Sequence, residues 1–336
     1  MKNLISVIIA LSCSLIGCKS QKAKEVQRTE LGYEVVYDSI FTRMPGNILK
    51  FNDLVVWLDP FSSQDYLHII DTNSKQERTF GTIGQGPMEF TTPNISAVKD
   101  GNMFIWDSNS DRQGIFSIVD RSFELQMLPP SKSKMATEKV MITPDKIVVL
   151  QPEEEMPLAL ETSEGLIRFG KQPLPINQKI SNSYSQFQGF LSFCPKKNLL
   201  LYSTLYYPAL TSYKLRKNGL PELENEQSKG IDYQIADDKL IISDASARSA
   251  VGFTVTKDYI IKIERDKEYD KTNATGGDFT KLPQTLFLYS YEGELQKIVN
   301  MKTPLLRVAG DFSDNMIYAI NADPEFKLIR INLDSL

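Results

Sequence analysis

Gly101-Asn102-Met103-Phe104-Ile105-Trp106 is the stretch from which the fold can be read: a two-residue polar turn, then a run of β-branched and aromatic residues with no helical period. The same device recurs along the chain. Asn52-Asp53 precedes Leu54–Leu58, Asp145-Lys146 precedes Ile147–Leu150, and Lys197-Asn198 precedes Leu199–Tyr202. Lys257-Asp258 precedes Tyr259–Ile263, and Asp314-Asn315 precedes Met316–Ile320. Successive runs start 44 to 60 residues apart. They are apolar on both faces, as strands are when sheets stack on either side of them.

Each unit parses into four strands. In the second unit these are Ile95–Val98, Met103–Trp106, Gly114–Asp120 and Phe123–Leu128. The third strand recurs as Tyr66–Asp71, Leu158–Thr162, Thr211–Arg216, Thr285–Tyr291 and Phe326–Leu333. The turns that follow carry left-handed formers: Asn73, Gly165, Asn218-Gly219 and Glu292-Gly293. A period of this length with several short strands per unit reads as an all-β chain, a six-bladed β-propeller of four-stranded antiparallel blades spanning residues 31–336. The sixth unit ends after its third strand. Tyr33–Asp38 is a strand with no repeat of its own, and it is expected to complete the last blade and close the ring.

Composition narrows the function classes. Of 336 residues, 41% are hydrophobic and 24% charged, which fits a globular chain and excludes a long disordered or polytopic membrane protein. The net charge of −4 offers no basic footprint, so no nucleic-acid partner is expected. His68 is the single histidine, which excludes multi-histidine metal sites. It lies in an alternating strand and reads as packing.

The first residues read as an address. After Lys2, the apolar stretch Leu4–Leu15 is too short to span a bilayer and has the flanks of a secretory signal. Leu15-Ile16-Gly17-Cys18 resembles the lipobox of bacterial lipoproteins: branched apolar residues, a small residue, then cysteine. The resemblance implies cleavage after Gly17 and a thioether-linked diacylglycerol on Cys18. Residues 1–17 are then a lipoprotein signal peptide, and residues 18–30 the lipidated cysteine with a flexible tether. The expected membrane contact is this N-terminal lipid anchor, because two or three acyl chains hold durably where one does not. No acidic cluster of the kind used for surface export follows Cys18. The expected location is therefore the bacterial cell envelope, at the outer membrane, facing the periplasm. Cys194 would be the one free thiol left, and beside Phe193 and Pro195 it reads as a buried small hydrophobe.

Phe80-Gly-Thr-Ile-Gly-Gln-Gly-Pro-Met-Glu-Phe-Thr-Thr-Pro93 resembles the G-x-G-P-x-E-F-x-x-P segment of NHL-type and TolB-like six-bladed propellers, common among lipoproteins of Bacteroidetes-type bacteria. Phe104–Arg112 followed by Ile115–Asp120 resembles an NHL blade. Met88 stands where the family pattern has glycine. The resemblance implies fold and compartment more than an activity. Gly81, Gly84 and Gly86 precede Pro87 and a strand rather than a helix, so they read as a blade-to-blade turn and not as a phosphate cradle.

Candidate chemistry is sparse, and a catalytic constellation is not expected. Asp107-x-Asn109-x-Asp111 begins like a calcium loop, but Arg112 stands where glycine is needed and Ile118 where a bidentate glutamate belongs. The expected role is a turn. The alternative is a partial Ca²⁺ site of Asp107, Asn109, Asp111 and Asp266, which would make the protein a lactonase-like hydrolase or lyase. No other cofactor is implied. Glu153-Glu154-Glu155 reads as a solvated loop. The long connections carry more interest: Leu205-Tyr206-Tyr207-Pro208-Ala209, and Glu264–Pro283 with Arg265, Asp266, Tyr269, Asp270 and Gly276-Gly277. They are expected on the channel face, near Trp57 and Trp106. Trp57, Trp106, Arg112, Tyr206, Tyr207 and Arg265 are the candidate contacts for a small glycan or peptide, or for an envelope protein. The sequence therefore points to a binding or scaffold module, with the structural alternative that these aromatics cap blade packing.

Overall fold

The computed structural model describes residues 26–97, 102–119, 122–133, 136–217, 219–228, 230–244, 246–268, 270 and 281–336. The signal segment, Cys18, the start of the tether, Asn218, Tyr269 and Gly276-Gly277 lie outside the described residues.

Two strands precede the repeats, β1 (Gln27–Glu30) and β2 (Glu34–Tyr37). Blade 1 is β3 (Ile48–Phe51), β4 (Leu54–Leu58), β5 (Asp65–Asp71) and β6 (Gln76–Thr82). Blade 2 is β7 (Pro93–Ala97), β8 (Asn102–Asp107), β9 (Gln113–Val119) and β10 (Ser122–Met127). Blade 3 is β11 (Glu138–Thr143), β12 (Lys146–Leu150), β13 (Leu158–Thr162) and β14 (Gly165–Phe169). A short helix, α1 (Ser183–Phe187), precedes blade 4, which is β15 (Gly189–Cys194), β16 (Leu199–Thr204), β17 (Leu210–Leu215) and β18 (Pro221–Gln227). A hairpin, β19 (Tyr233–Ala236) with β20 (Lys239–Ile242), follows it. Blade 5 is β21 (Gly252–Val255), β22 (Ile260–Glu264), β23 (Thr285–Tyr289) and β24 (Leu295–Asn300). Blade 6 has only β25 (Leu305–Ala309), β26 (Met316–Ala322) and β27 (Phe326–Asn332) from its own unit.

β2 supplies the missing strand. It pairs antiparallel with β27, Glu34 opposite Arg330 and Val35 opposite Ile329. The chain is thus a six-bladed β-propeller whose last blade is closed by an N-terminal strand. The tether is shorter than expected at its far end. Gln27–Glu30 is β1, which adds to the outer edge of blade 5 parallel to β24. Arg28 fixes it there through Asp266, at 2.7 Å.

The core follows from the architecture. Six buried apolar clusters fill the six seams between neighbouring blades. The second strand of each blade touches both seams, so β12 and β22 are buried nearly throughout. A seventh cluster lies outside the repeat: Leu174, Ile180 and Phe187 pack with Tyr207, Ala209 and Leu240. It joins α1 and the β19–β20 hairpin to blade 4. Nothing in the sixfold pattern signals it, because its apolar residues are scattered over irregular segments.

The inner turns explain their polar residues. Asn52 and Asn198 take positive φ, 51° and 48°, a conformation that asparagine tolerates better than most residues.

Deleting residues 31–39 should unseat Val36 and Ile40, buried to 3% and 4% exposure. At about 1.5–3 kcal/mol for each large apolar side chain, the loss is about 3–6 kcal/mol before ladder hydrogen bonds are counted. Thermal melting should show a Tm lowered by about 10 °C or more, and an unchanged Tm would show that the ring is held closed without β2.

Candidate functional site

The inner strand of every blade, β3, β7, β11, β15, β21 and β25, is a sheet edge. Each touches the next around the ring, and β25 touches β3. Their unpaired backbone groups therefore face a central channel. The channel is a cavity of about 740 Å³ with walls from all six inner strands, within the size range of small-molecule sites.

Its lining is uneven. Phe190 of blade 4 and Phe253 of blade 5 form a parallel stacked pair, ring centroids 6.0 Å apart and planes 9° apart. Both are only partly buried, as are Phe193 and Phe312 nearby. Lys50 also lines the cavity but is engaged. Its Nζ lies 2.6 Å from Asp314 Oδ1 and 3.5 Å from Asp311 Oδ2. Lys196, at one mouth, donates to the Phe312 carbonyl.

Two ionisable groups stand apart. Arg307 on β25 donates Nε to Gly46 O at 3.1 Å, and Nη1 to Leu306 O at 3.0 Å and Val251 O at 3.5 Å. No described carboxylate pairs with it. Burial pulls its acid constant down to about 10. Glu138, on blade 3 across the ring, accepts the Lys139 amide and has no described cationic partner. Burial raises its carboxyl to about 8, against a smaller lowering by that amide.

The residues singled out in the sequence lie elsewhere and do not converge. Trp57 is 1% exposed. It stacks on His68 at 3.9 Å and donates to Glu77. Trp106 is equally buried, against Phe104 in the seam of blades 2 and 3. Tyr207 is fully buried in the satellite cluster, whereas its neighbour Tyr206 is 42% exposed. For Trp57, Trp106 and Tyr207 the packing alternative describes the geometry, because blade seams have room for large rings that a solvent face would leave wet. Arg265 is part-buried and donates to the Lys281 carbonyl.

Arg112 clamps a loop. Its Nη1 donates to Gly86 O and Glu89 O, at 2.7 and 2.8 Å, and its Nη2 to Gln85 O at 2.7 Å. Glu89 in turn accepts the Gly86 amide at 2.7 Å. A Cβ at Gly84 would sit 2.1 Å from Glu89 Oε2, so this carboxylate can fold back only over glycine. Gly81 takes φ +86° under the Tyr66 ring. The glycine-rich run is thus a blade-to-blade turn tied down by Glu89 and Arg112.

Asp107 is likewise committed. It accepts the amides of Thr91, Thr92 and Asn109, and the Thr91 hydroxyl. These bonds outweigh burial and hold its carboxyl below the ordinary value. Asn109 donates to Thr92 Oγ1 at 2.6 Å. Asp266 belongs to blade 5 and is paired with Arg28. The set Asp107, Asn109, Asp111 and Asp266 therefore does not come together, and among the described residues no group of three His, Cys, Asp or Glu side chains is placed to hold a metal. Cys194 is buried, and burial raises its thiol.

Comparison with known proteins supports the architecture. No protein-family model matches the chain, and no curated protein matches it in sequence. Among solved structures, regucalcin from Agrobacterium tumefaciens, described as a calcium-binding protein, superposes with a TM-score of 0.53 at 9% identity over 91% of this chain and 95% of that one. That likeness is one of fold. The Cps50 (Swd1) β-propeller domain of Myceliophteria thermophila gives a TM-score of 0.49 at 10% identity, covering 89% of this chain and 99% of that one. Chaetomium thermophilum Raptor gives 0.47 at 8% identity over 90% of this chain, which spans 29% of Raptor.

The channel residues were legible only as anomalies. Arg307 interrupts Leu305-Leu306-x-Val308-Ala309, and Glu138-Lys139 precedes the apolar Val140-Met141-Ile142. A charge inside a first-strand run was the available signal. Glu138 also gives a pH test. The unfolded chain ionises near 4.5 and the folded protein near 8, so between them the folded state holds a proton that the unfolded state releases. Stability should fall as pH rises through that window and level off above it. Glu138→Gln should therefore gain on the parent between about pH 5 and about pH 8 in thermal melts, and lose that advantage near about pH 4. A pH-independent offset would show that the channel leaves Glu138 ionised.

Proposed function

We propose that the protein is a lipid-anchored binding module of the bacterial envelope, and that its ligand occupies the central channel rather than the outer loops. The observation that carries this reading is the contrast between two regions. The channel offers partly exposed aromatic rings, free edge-strand backbone and an unpaired guanidinium. The outer loops spend Arg112, Glu89 and Asp107 on their own backbone. Tyr206 remains the one exposed ring of the sequence-derived set, at 42%, and adjoins Tyr207 of the satellite cluster, as a second contact point for an envelope protein. The Ca²⁺-dependent hydrolase alternative needs converging oxygen ligands, and the residues put forward for it hold turns instead. The fold likeness to a calcium-binding protein supplies no ligand to this chain.

The anchor rests on the Leu15-Ile16-Gly17-Cys18 sequence. Full-length protein expressed in a Gram-negative host should fractionate with membranes and take up labelled palmitate. Cys18→Ser should abolish the label and release the chain to the soluble envelope fraction; equal labelling of both would remove the anchor. For the channel, wild type and Leu49→Trp, which narrows it, should be incubated with a small-molecule extract of the envelope. Mass spectrometry of retained compounds should find a ligand on wild type that the variant loses. The same compounds on both would place binding outside the channel.

A further inference from the structure

The channel is asymmetric in a way that specifies a class of ligand. Arg307 has Nε and Nη1 held by three backbone carbonyls, and its Nη2 bonds to no described residue. A guanidinium fixed in this manner has lost its freedom to turn away and keeps only Nη2 free to donate. One of its carbonyl partners is Val251 O, and Val251 lies two residues before Phe253, half of the stacked pair. At about 3.3 Å per residue in extended chain, the backbone that holds Arg307 and the backbone that carries Phe253 are about 6.5 Å apart.

The remaining charges do not compensate Arg307. Asp311 and Asp314 share Lys50, and neither has a described bond to Arg307. Glu138 lies on blade 3, opposite blade 6, and burial raises its carboxyl to about 8. Lys196 adds positive charge at the mouth. Arg307 is therefore a cation without a described carboxylate partner on the wall of a largely apolar cavity. A cation in an apolar-walled cavity without a counter-ion is costly, and a carboxylate oxygen accepting from Nη2 would supply one through a charge-assisted hydrogen bond.

We propose that the channel binds a small aromatic carboxylate, its carboxylate accepting from Nη2 of Arg307 and its ring against Phe190 and Phe253. This rests on the reading of the channel as the ligand site and adds the chemistry of the ligand. A volume of about 740 Å³ admits one or two fused rings with a short acid side chain. An unsubstituted hydrocarbon would leave Arg307 unpaired, and a simple inorganic anion would leave the rings wet.

The probe is 2-naphthylacetate, with its neutral amide, 2-naphthylacetamide, as control. In calorimetric titrations of the wild type at neutral pH, the acid should bind at least about ten-fold more tightly than the amide, the scale of a charge-assisted hydrogen bond. Phe253→Ala should weaken acid and amide alike. Arg307→Met should erase the preference for the acid while leaving amide binding in place. Arg307→Lys, which keeps the charge and loses the planar fork, should retain part of it and serves if Arg307→Met fails to fold. Equal binding of acid and amide by the wild type, or no binding of either, overturns the proposal. Equal binding that Leu49→Trp abolishes would leave the channel as a ligand site and reject only the anionic class. Equal binding that survives Leu49→Trp would reject the channel as well.

Discussion

Ring closure is the constraint on which the rest of the structure depends. Every blade is a sheet with two apolar faces, so every blade needs two neighbours. A linear array would leave one wet face at each end, and the last three-stranded sheet would carry an open edge. The β2–β27 pairing removes all three liabilities. Polar contacts fix the same seam. Tyr37 of β2 donates to Glu77 on blade 1, and Lys50 of blade 1 reaches Asp311 and Asp314 on blade 6. Glu77 also receives Trp57 and His68. Burial alone would raise its carboxyl, but these bonds bring it below the ordinary value, while Tyr37 is pushed up to about 12. A carboxylate lowered on folding stabilises the closed ring above its unfolded acid constant. That contribution disappears as pH falls through the folded one.

Closure also makes the channel. Six inner strands cannot pair with one another across the axis, so their edges stay open around a space too wide for the side chains to fill. In most folds such edges are hazards. Here they are hidden from other chains and become a ring of hydrogen-bonding groups. The aromatic wall of blades 4 and 5 and the guanidinium of blade 6 meet across consecutive seams, and closure sets Glu138 of blade 3 opposite them. Opened at the seam of blades 6 and 1, Arg307 would also lose its bond to Gly46.

The outer loops show how polar residues that look functional can be structural. Asp107, Arg112, Glu89 and Asn109 have the side chains of a metal or ligand site. Asp107, Arg112 and Glu89 instead satisfy backbone groups of a connection that has no strand to pair with, and Asn109 bonds the Thr92 hydroxyl. Blade-to-blade connections leave amides and carbonyls without ladder partners, and short polar side chains near them meet that need first.

The repeat, the four-strand parse and the spare N-terminal strand were all legible in the sequence, because each rests on local periodicity and turn chemistry. Residues 80–93 were legible as a turn for the same reason. The β19–β20 hairpin and the seventh cluster were not, since they belong to no repeat and draw apolar residues from segments far apart. Trp57, Trp106 and Tyr207 were readable both as channel-face contacts and as packing residues, and the structure buries all three, because burial is decided by what packs against a strand or loop rather than by position along it. The sequence by itself determined the sixfold sheet architecture and its means of closure. Only the tertiary structure decided which side chains share the channel, because Phe190, Phe253, Arg307 and Glu138 come from four units and meet around an axis that none of them defines alone.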